Sequence, residues 1–302
     1  MARSLQLDDP PRTVPASAQV AVVFAGVTQQ IGWIFLLFGL LFGWLFGLDS
    51  EAITAVQFQG EQELTSGAVI DVTQTAASEN DRPIYGIRYT YTVDGVAHVG
   101  VSYSTNGNYA DGQVVTVQYL VEEPKRSRIE GLRVRKFGAF AIFPIIFPLV
   151  GLAMALRGVY GGLRARRLLR SGKLAFGTLV NKEATNTRIN KQTVYKLTFE
   201  FTVQPEQKLF GYRQSAMGEA KTYQAVHKTH RTHALEDEPE EPLLYDPADP
   251  RRVYPIDALP GGVTVSAAGH VVGPASLVKA LGLPLLGLTA LAAFLVALCS
   301  TC

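Results

Sequence analysis

Ile31–Leu48 reads IGWIFLLFGLLFGWLFGL, an apolar run without a single charge. Extended back to about Val27, it supplies the roughly 20 residues that an α-helix needs to cross about 30 Å of hydrocarbon. A longer helix would tilt. The apolar stretch Val20–Val27 just upstream is too short to be a separate span. A cleaved signal peptide is not expected: the basic n-region is thin, the run is long and starts late, and no small-residue cleavage site follows it.

Two similar runs lie further along. Phe137–Leu156 is closed by Arg157 and holds Pro144 and Pro148, which are expected to kink it. Ala280–Cys299 is rich in Leu and Ala, with Pro284 near its start. None of the three cores contains Asp, Glu, Lys or Arg. Ion and proton pathways usually need such groups, so a transporter or pump made from one copy is not expected. An oligomeric pore lined by backbone or glycine stays open. Gly39, Gly43 and Gly47 recur every fourth residue on one face of the first helix, a spacing that lets helices approach closely. That face serves either a dimer or packing on the chain's own second or third helix.

Composition agrees with a membrane protein. Hydrophobic residues make up 47% of the chain and charged residues only 18%, against about 25% charged in soluble proteins. The formal net charge of +2 argues against nucleic acid as a partner. The basic residues instead flank the middle run: Lys125, Arg126, Arg128, Arg133, Arg135 and Lys136 before it, Arg157, Arg164, Arg166, Arg167, Arg170 and Lys173 after it. Arg133, Arg135, Lys136, Arg164, Arg166, Arg167 and Arg170 are therefore expected at the lipid interface, against anionic headgroups. Cys299 and Cys302 are the only cysteines; they are too few and too terminal for a disulfide framework or a structural zinc site. No prenylation-type box surrounds Cys302.

Between the apolar runs lie two regions with strand signatures. In the first, Gly67–Gln74 reads as a strand, Ala76–Pro83 as a polar turn, and Tyr85–Val93 as a strand with Tyr85, Ile87, Tyr89 and Tyr91 on one face. Asp94-Gly95 is a strong hairpin signal. Val96–Ser104 returns, and Val114–Leu120 is a further strand. In the second region, Ala175–Asn181, Thr193–Val203 and a return strand at Leu209–Ser215 repeat the plan. A divergent polar insertion, 216–241, precedes LLYDPADPRRVYPIDALPGG. Val117, Tyr119 and Pro124 resemble Leu243, Tyr245 and Pro250, and Ser127–Ile129 sits where Val253–Pro255 sits, which suggests an internal duplication. Short antiparallel strands of this kind suggest a small barrel or curled sheet in each module. Tyr85, Tyr89, Tyr91, Tyr195 and Phe199 are read first as core residues. Gly161-Gly162 and Gly261-Gly262 are read as segment boundaries.

The expected fold class is therefore membrane α + β, three transmembrane helices alternating with two small antiparallel, barrel-like β domains. The domains run 1–18 (polar tail), 19–48 (helix), 49–136 (first β module), 137–160 (helix), 161–275 (second β module) and 276–302 (helix and short tail).

A specific set of residues carries a family likeness. Gly67-Ala68-Val69 opens a strand, Tyr85–Tyr91 follows, then the Val93-Asp94-Gly95 turn. Gly112, Val115, Val117 and Tyr119 form a Gly-x-x-Val-x-Val-x-Tyr strand, and Pro124, Ser127 and Ile129 approach a membrane helix. This resembles the bacterial membrane-protein family described as Domain of Unknown Function 3592, whose members place a small β domain between transmembrane helices. The second module departs from the pattern: Gln204–Lys208 replaces the Asp-Gly turn, and an insertion precedes Tyr245. The resemblance implies the architecture, in two copies and in the cell inner membrane, and implies no enzymatic residue or cofactor.

His227, His230 and His233 form H-x-x-H-x-x-H, with Glu236, Asp237 and Glu238 nearby. In a loop, three imidazoles and a water would suit a catalytic metal. The competing reading is an exposed, solvated insertion. Three full crossings would put the two modules on opposite sides of the membrane. Arg3 and Arg12 favour an inside N-terminus, whereas Arg133–Lys136 would then fall outside, against the charge rule. The function expected first is a non-enzymatic structural or interaction protein that presents β modules at the membrane to a protein partner or a second copy of itself. A metal-dependent enzyme using the histidine segment, and an oligomeric channel or lipid-handling subunit, are the alternatives.

Overall fold

The computed structural model describes residues 5, 7–189, 191–204, 206–209, 212–215 and 220–301. Positions 1–4 and 6 of the polar tail, 210–211 of the expected return strand, 216–219 of the expected insertion, and Cys302 lie outside them.

Among the described residues three helices are long and apolar enough to cross a membrane: Val27–Gly47, Ala139–Ser171 and Val278–Ser300. The first is α2 (Val27–Phe42), which runs on as a π turn at Gly43–Gly47. It is not continuous with Val20. A separate helix, α1 (Ala16–Phe24), stops at Ala25-Gly26, so the span expected over 19–48 is two elements. A short helix not expected from sequence, α3 (Glu51–Gln57), is capped by the Ser50 hydroxyl, which accepts from the Ala52 N–H.

The second span begins as a 3-10 turn, Ala139–Ile145, and continues as α4 (Ile146–Ser171). It runs beyond residue 160, because Gly161 and Gly162 lie inside the helix and do not end it. Gly162 is there for closeness: a Cβ would meet the Val23 Cα at 2.6 Å and the Val22 carbonyl oxygen at 2.8 Å. Both prolines lie at the start of this span. Pro148 lies in the first turn of α4, where its missing N–H costs nothing. Pro144 falls in the 3-10 turn before it. The third span is α5 (Val278–Thr301).

Five strands follow α3: β1 (Gln62–Glu79), β2 (Arg82–Val93), β3 (Val96–Ser104), β4 (Val114–Leu120) and β5 (Ser127–Ile129), in the order β3-β2-β1-β4-β5. After α4 come β6 (Lys173–Ile189), β7 (Gln192–Val203), β8 (Glu206–Leu209), β9 (Tyr212–Ser215), β10 (Lys221–Thr229), β11 (Glu241–Asp246) and β12 (Asp249–Pro255). Five of these make a second sheet, β10-β7-β6-β11-β12, with the same strand order as the first. Among the described residues β8 and β9 pair only with each other. A small hairpin of β13 (Thr264–Val265) and β14 (Val271–Val272) precedes α5.

The two sheets also share their register. Gly67↔Tyr91, Val69↔Tyr89 and Gln74↔Tyr85 reappear as Gly177↔Phe201, Leu179↔Phe199 and Ala184↔Tyr195, each residue 110 positions on (67 to 177, 85 to 195). The bulges recur too, at Val69/Asp71 and Leu179/Asn181. Val117↔Ile129 and Tyr119↔Ser127 reappear as Leu243↔Pro255 and Tyr245↔Val253, 126 positions on (117 to 243, 129 to 255). The strand that returns beside β7 is β10, which corrects the expectation of Leu209–Ser215. The β8–β9 hairpin stands where Asp94-Gly95 stands in the first sheet, and the strand expected as loop lies inside the polar insertion.

The chain divides into two units. One comprises Met1–Ile34 with Leu152–Leu286, the other Phe35–Gly151 with Gly287–Cys302. In the second, Val69, Ile87, Tyr89, Tyr91, Val115, Val117, Tyr119 and Ile129 form the core of the first sheet. In the first, Leu197, Phe199, Phe201, Leu243 and Tyr245 fill the second sheet, and α1 packs Ala18, Ala21 and Val22 against Leu168 and Leu169 of α4 and against Leu244, Leu259 and Val271. Tyr89 and Phe199 are core residues, as expected. Exposed instead are Ile34, Phe35, Phe38, Leu41, Leu45, Leu149, Val150, Leu156, Leu286, Leu288, Leu295 and Val296, all on the three long helices. An apolar surface of that extent calls for lipid.

The barrel-like expectation is corrected: both sheets are open. In the first, β3 and β5 approach without a ladder. The Ser102 hydroxyl accepts from the Ile129 N–H at 2.8 Å, and a single bridge joins Tyr103 to Arg133. β5 is only three residues long, too short to zip the seam shut.

Candidate functional site

The seam between β3 and β5 is the most site-like feature of the first module. An aromatic layer adjoins it. The Tyr89 and Ser127 hydroxyls lie 2.9 Å apart, Tyr89 tilts against Tyr91 with ring centroids 5.8 Å apart, and Tyr91 stacks on Tyr119 at 6.4 Å. Burial pushes the Tyr89 phenol above its ordinary pKa, so it stays a neutral hydrogen-bonding group. Gly100 of β3 lies over this layer; a Cβ there would sit 2.4 Å from the Tyr89 hydroxyl oxygen.

Along the seam runs a groove of about 370 Å³, whose lining includes Gly100 and Ser127. Val99 and Val101 of β3 form one wall, Thr54 and Gln57 of α3 another, and Lys125 and Arg135 reach in from the flanking segments. Its lining includes Arg126 as well and no Asp or Glu. Arg126 is engaged by Glu123 at 2.8 Å and donates to the Gln57 carbonyl. Arg135 donates from one terminal nitrogen to Gln57 Oε1 at 2.8 Å, while its buried Nε–H has no acceptor among the described residues. The wall is held by Glu51, read in the sequence only as part of a linker. Its Oε2 accepts from the backbone N–H groups of Val134 and Arg135 at 3.1 and 3.2 Å. A lone Glu after a membrane run gives no sequence signal for that role.

The basic residues around α4 divide into two sets. Several of those before it are matched by acids: Arg133 with Glu79 at 2.6 Å, Lys136 with Asp49 at 2.9 Å, Arg128 with Glu51 at 3.8 Å. This engagement weakens the lipid-interface reading for Arg133 and Lys136, while Arg135 donates to Gln57. After the apolar part of α4, Arg164 lies over the Tyr160 ring at 4.5 Å and Arg167 is a long 4.0 Å from Asp246. Arg164, Arg166, Arg167 and Arg170 are exposed on one helix, as headgroup contacts require.

The glycine face of α2 is occupied within the chain. A Cβ on Gly39 would sit 2.1 Å from Pro148 Cδ, and one on Gly43 would sit 3.2 Å from a ring carbon of Phe294. Gly47 has open space. Of the two readings, packing on the chain's own helices describes Gly39 and Gly43.

The histidines do not converge. His227 lies within β10, its ring edge-on to Tyr254 at 5.4 Å, and His233 begins a 3-10 turn. Among the described residues no group of three or more His, Cys, Asp or Glu side chains is placed to hold a metal. Burial pushes the His227 imidazole down to about 4. The unfolded chain therefore binds the proton more readily between pH 6.5 and 4, and the stability present above pH 6.5 is lost as pH falls through that window. His227→Leu should recover about 2 kcal/mol of stability at pH 5 and nothing from this source at pH 8, read as the change in unfolding temperature of the purified protein between the two.

The second module carries one further polar feature. Glu241 of β11 is 2% exposed, and neither carboxylate oxygen has a hydrogen-bond partner among the described residues. Burial, together with Asp257, Asp237 and Glu238, pushes it up to about 8.

Comparison with family models, with curated proteins and with solved structures returns no match for this chain. The likeness to the Domain of Unknown Function 3592 family therefore rests on its motifs alone.

Proposed function

We propose that the chain is a multi-pass inner-membrane protein that crosses the bilayer three times and works as an interaction protein, its two β modules derived from one duplicated unit. The observation that carries this reading is the repeat of strand order, register and bulge position in two sheets, each adjoining long apolar helices. Two open sheets keep free edges, the feature by which β modules take up partner strands. The modules then face opposite compartments, with the Arg164–Arg170 stretch on the cytoplasmic side. The acid-matched cations Arg133 and Lys136 lie on the other side, folded into their module.

Topology is tested by single cysteines at the exposed positions Asp111 and Gln224, in a chain whose Cys299 and Cys302 are replaced by serine. A membrane-impermeant maleimide should label Asp111→Cys in intact spheroplasts, and Gln224→Cys only after lysis. Equal labelling of both before lysis would rule out three crossings. The interaction reading is tested by purification in mild detergent, which should recover a stoichiometric protein partner.

A further inference from the structure

We propose that the groove along β3 is a binding site for an extended acidic peptide, which adds a strand to the β3 edge and places a carboxylate between Lys125 and Arg135. This deepens the interaction reading above and rests on it.

Two independent observations meet at this place. The first is the edge itself. β3 is the outer strand of its sheet, nine residues long, VAHVGVSYS, with no charge and no proline. Native edge strands are usually blunted by Lys, Pro, a bulge or a cover. The matching strand of the other module, β10, carries Lys221 and Lys228. Tyr103 shows which way the free backbone groups of β3 point: its N–H donates to the Arg133 carbonyl and its carbonyl accepts from the Arg133 N–H, away from β2. In an antiparallel strand the direction alternates, so Val101 and Val99 turn their N–H and C=O the same way as Tyr103. Past Tyr103 the bridge to Arg133 is not continued. The side chains of Val99 and Val101 are 59% and 40% exposed. A second strand laid here finds two residues of backbone ready to pair and two valines to pack on.

The second observation is charge. The groove beside those two residues is lined by Lys125, Arg126 and Arg135, with no acid among its lining. Arg126 has its own acid in Glu123. Arg135 keeps a buried Nε–H without an acceptor, a group that is costly to leave unpaired. Lys125 is exposed and takes part in no ion pair among the described residues. An entering carboxylate answers both. A lipid headgroup would supply the anion too, but it has no donors and acceptors in strand spacing for Val99 and Val101. The peptide is therefore the better fit to the whole groove.

The test uses the full chain in neutral detergent and a fluorescein-labelled decapeptide of alternating Val and Glu, with alternating Val and Lys as its control. The Glu peptide should bind and the Lys peptide should not. Two variants leave the fold intact in different ways. Lys125→Glu reverses an unpaired surface charge. Val99→Pro deletes an N–H that points away from β2, a position where an edge strand accepts proline. Each should weaken the Glu peptide by about tenfold or more. Equal binding of the two peptides, or parent-like binding by both variants, overturns the proposal. So does Lys125-dependent binding of phosphatidylglycerol vesicles with none of the peptide, which would make the groove a headgroup site. A stoichiometric partner that survives both variants would overturn this groove while leaving the interaction reading standing; no partner and no peptide binding would remove both.

Discussion

Glu241→Gln is expected to raise the unfolding temperature of the purified protein at pH 8 and to leave it unchanged at pH 4. The carboxyl is 2% exposed, has no hydrogen-bond partner among the described residues, and faces Asp257, Asp237 and Glu238 with no cation among the groups that shift it. Burial and that negative surround push its pKa from 4.5 to about 8. Between those values the folded chain holds a proton that the unfolded chain has released, so stability falls as pH rises through the window and the full penalty is present above it. At pH 7 the penalty is on the order of 3 kcal/mol. Removing it should add about 5–10 °C to the unfolding temperature. Glu241→Val should do at least as well, because it installs the residue that the first module carries at the same register position: Val115 pairs with Gly67 as Glu241 pairs with Gly177. His227, in the same sheet, works in the opposite sense between pH 6.5 and 4. The two slopes offset each other from about pH 4.5 to 6.5, so in the parent the Glu241 effect emerges alone between pH 6.5 and 8. A variant with the parent's slope across that last interval would show that the carboxyl is already solvated or paired.

The elements with a strong apolar period were legible in the sequence and the polar ones were not. Tyr85–Val93 alternates because its inward face fills a core, and β2 contains it whole. The far ends of both long hairpins were read as turns, since Ala76–Glu79 and Ala184–Ile189 are strands whose side chains are largely solvated. A strand that buries neither face has no alternation to detect. β10 was missed for the same reason. In KTYQAVHKT only Ala225 is fully buried, and the pairing with β7 is a long-range fact. Gly161-Gly162 reads as a segment boundary after residue 160, yet α4 carries both glycines and its arginines on to Ser171, because close packing of Gly162 on α1 outweighs the weak helix propensity of glycine. The seam groove was illegible because it is assembled from α3, β3 and two separate flanking segments. Glu51, which fixes one wall, is recognisable only by the backbone N–H groups it accepts from.

The three glycines of α2 look equivalent in sequence, and their substitution should separate them. Gly39→Ala is expected to be the most damaging, followed by Gly43→Ala, with Gly47→Ala near neutral. The order follows from what each new methyl meets. At Gly39 it meets the Pro148 ring at 2.1 Å and its backbone nitrogen at 2.5 Å. A proline ring has no side-chain torsion through which to retreat, so α2 and α4 must move apart, at a cost of about 1–3 kcal/mol or more. At Gly43 the neighbour is the rim of the Phe294 ring at 3.2 Å, which a small rotation relieves. At Gly47 nothing lies within 4 Å. Thermal unfolding in detergent measures the order, and cross-linking in native membranes measures subunit number. If the glycine face served a dimer, all three variants would shift the oligomer while sparing the monomer fold. If it packs α2 on the chain's own helices, Gly39→Ala lowers the unfolding temperature with subunit number unchanged. Gly47→Ala is the decisive control: in the intramolecular arrangement its methyl meets nothing within 4 Å among the described residues, whereas a helix pair using the whole stripe would be loosened by it.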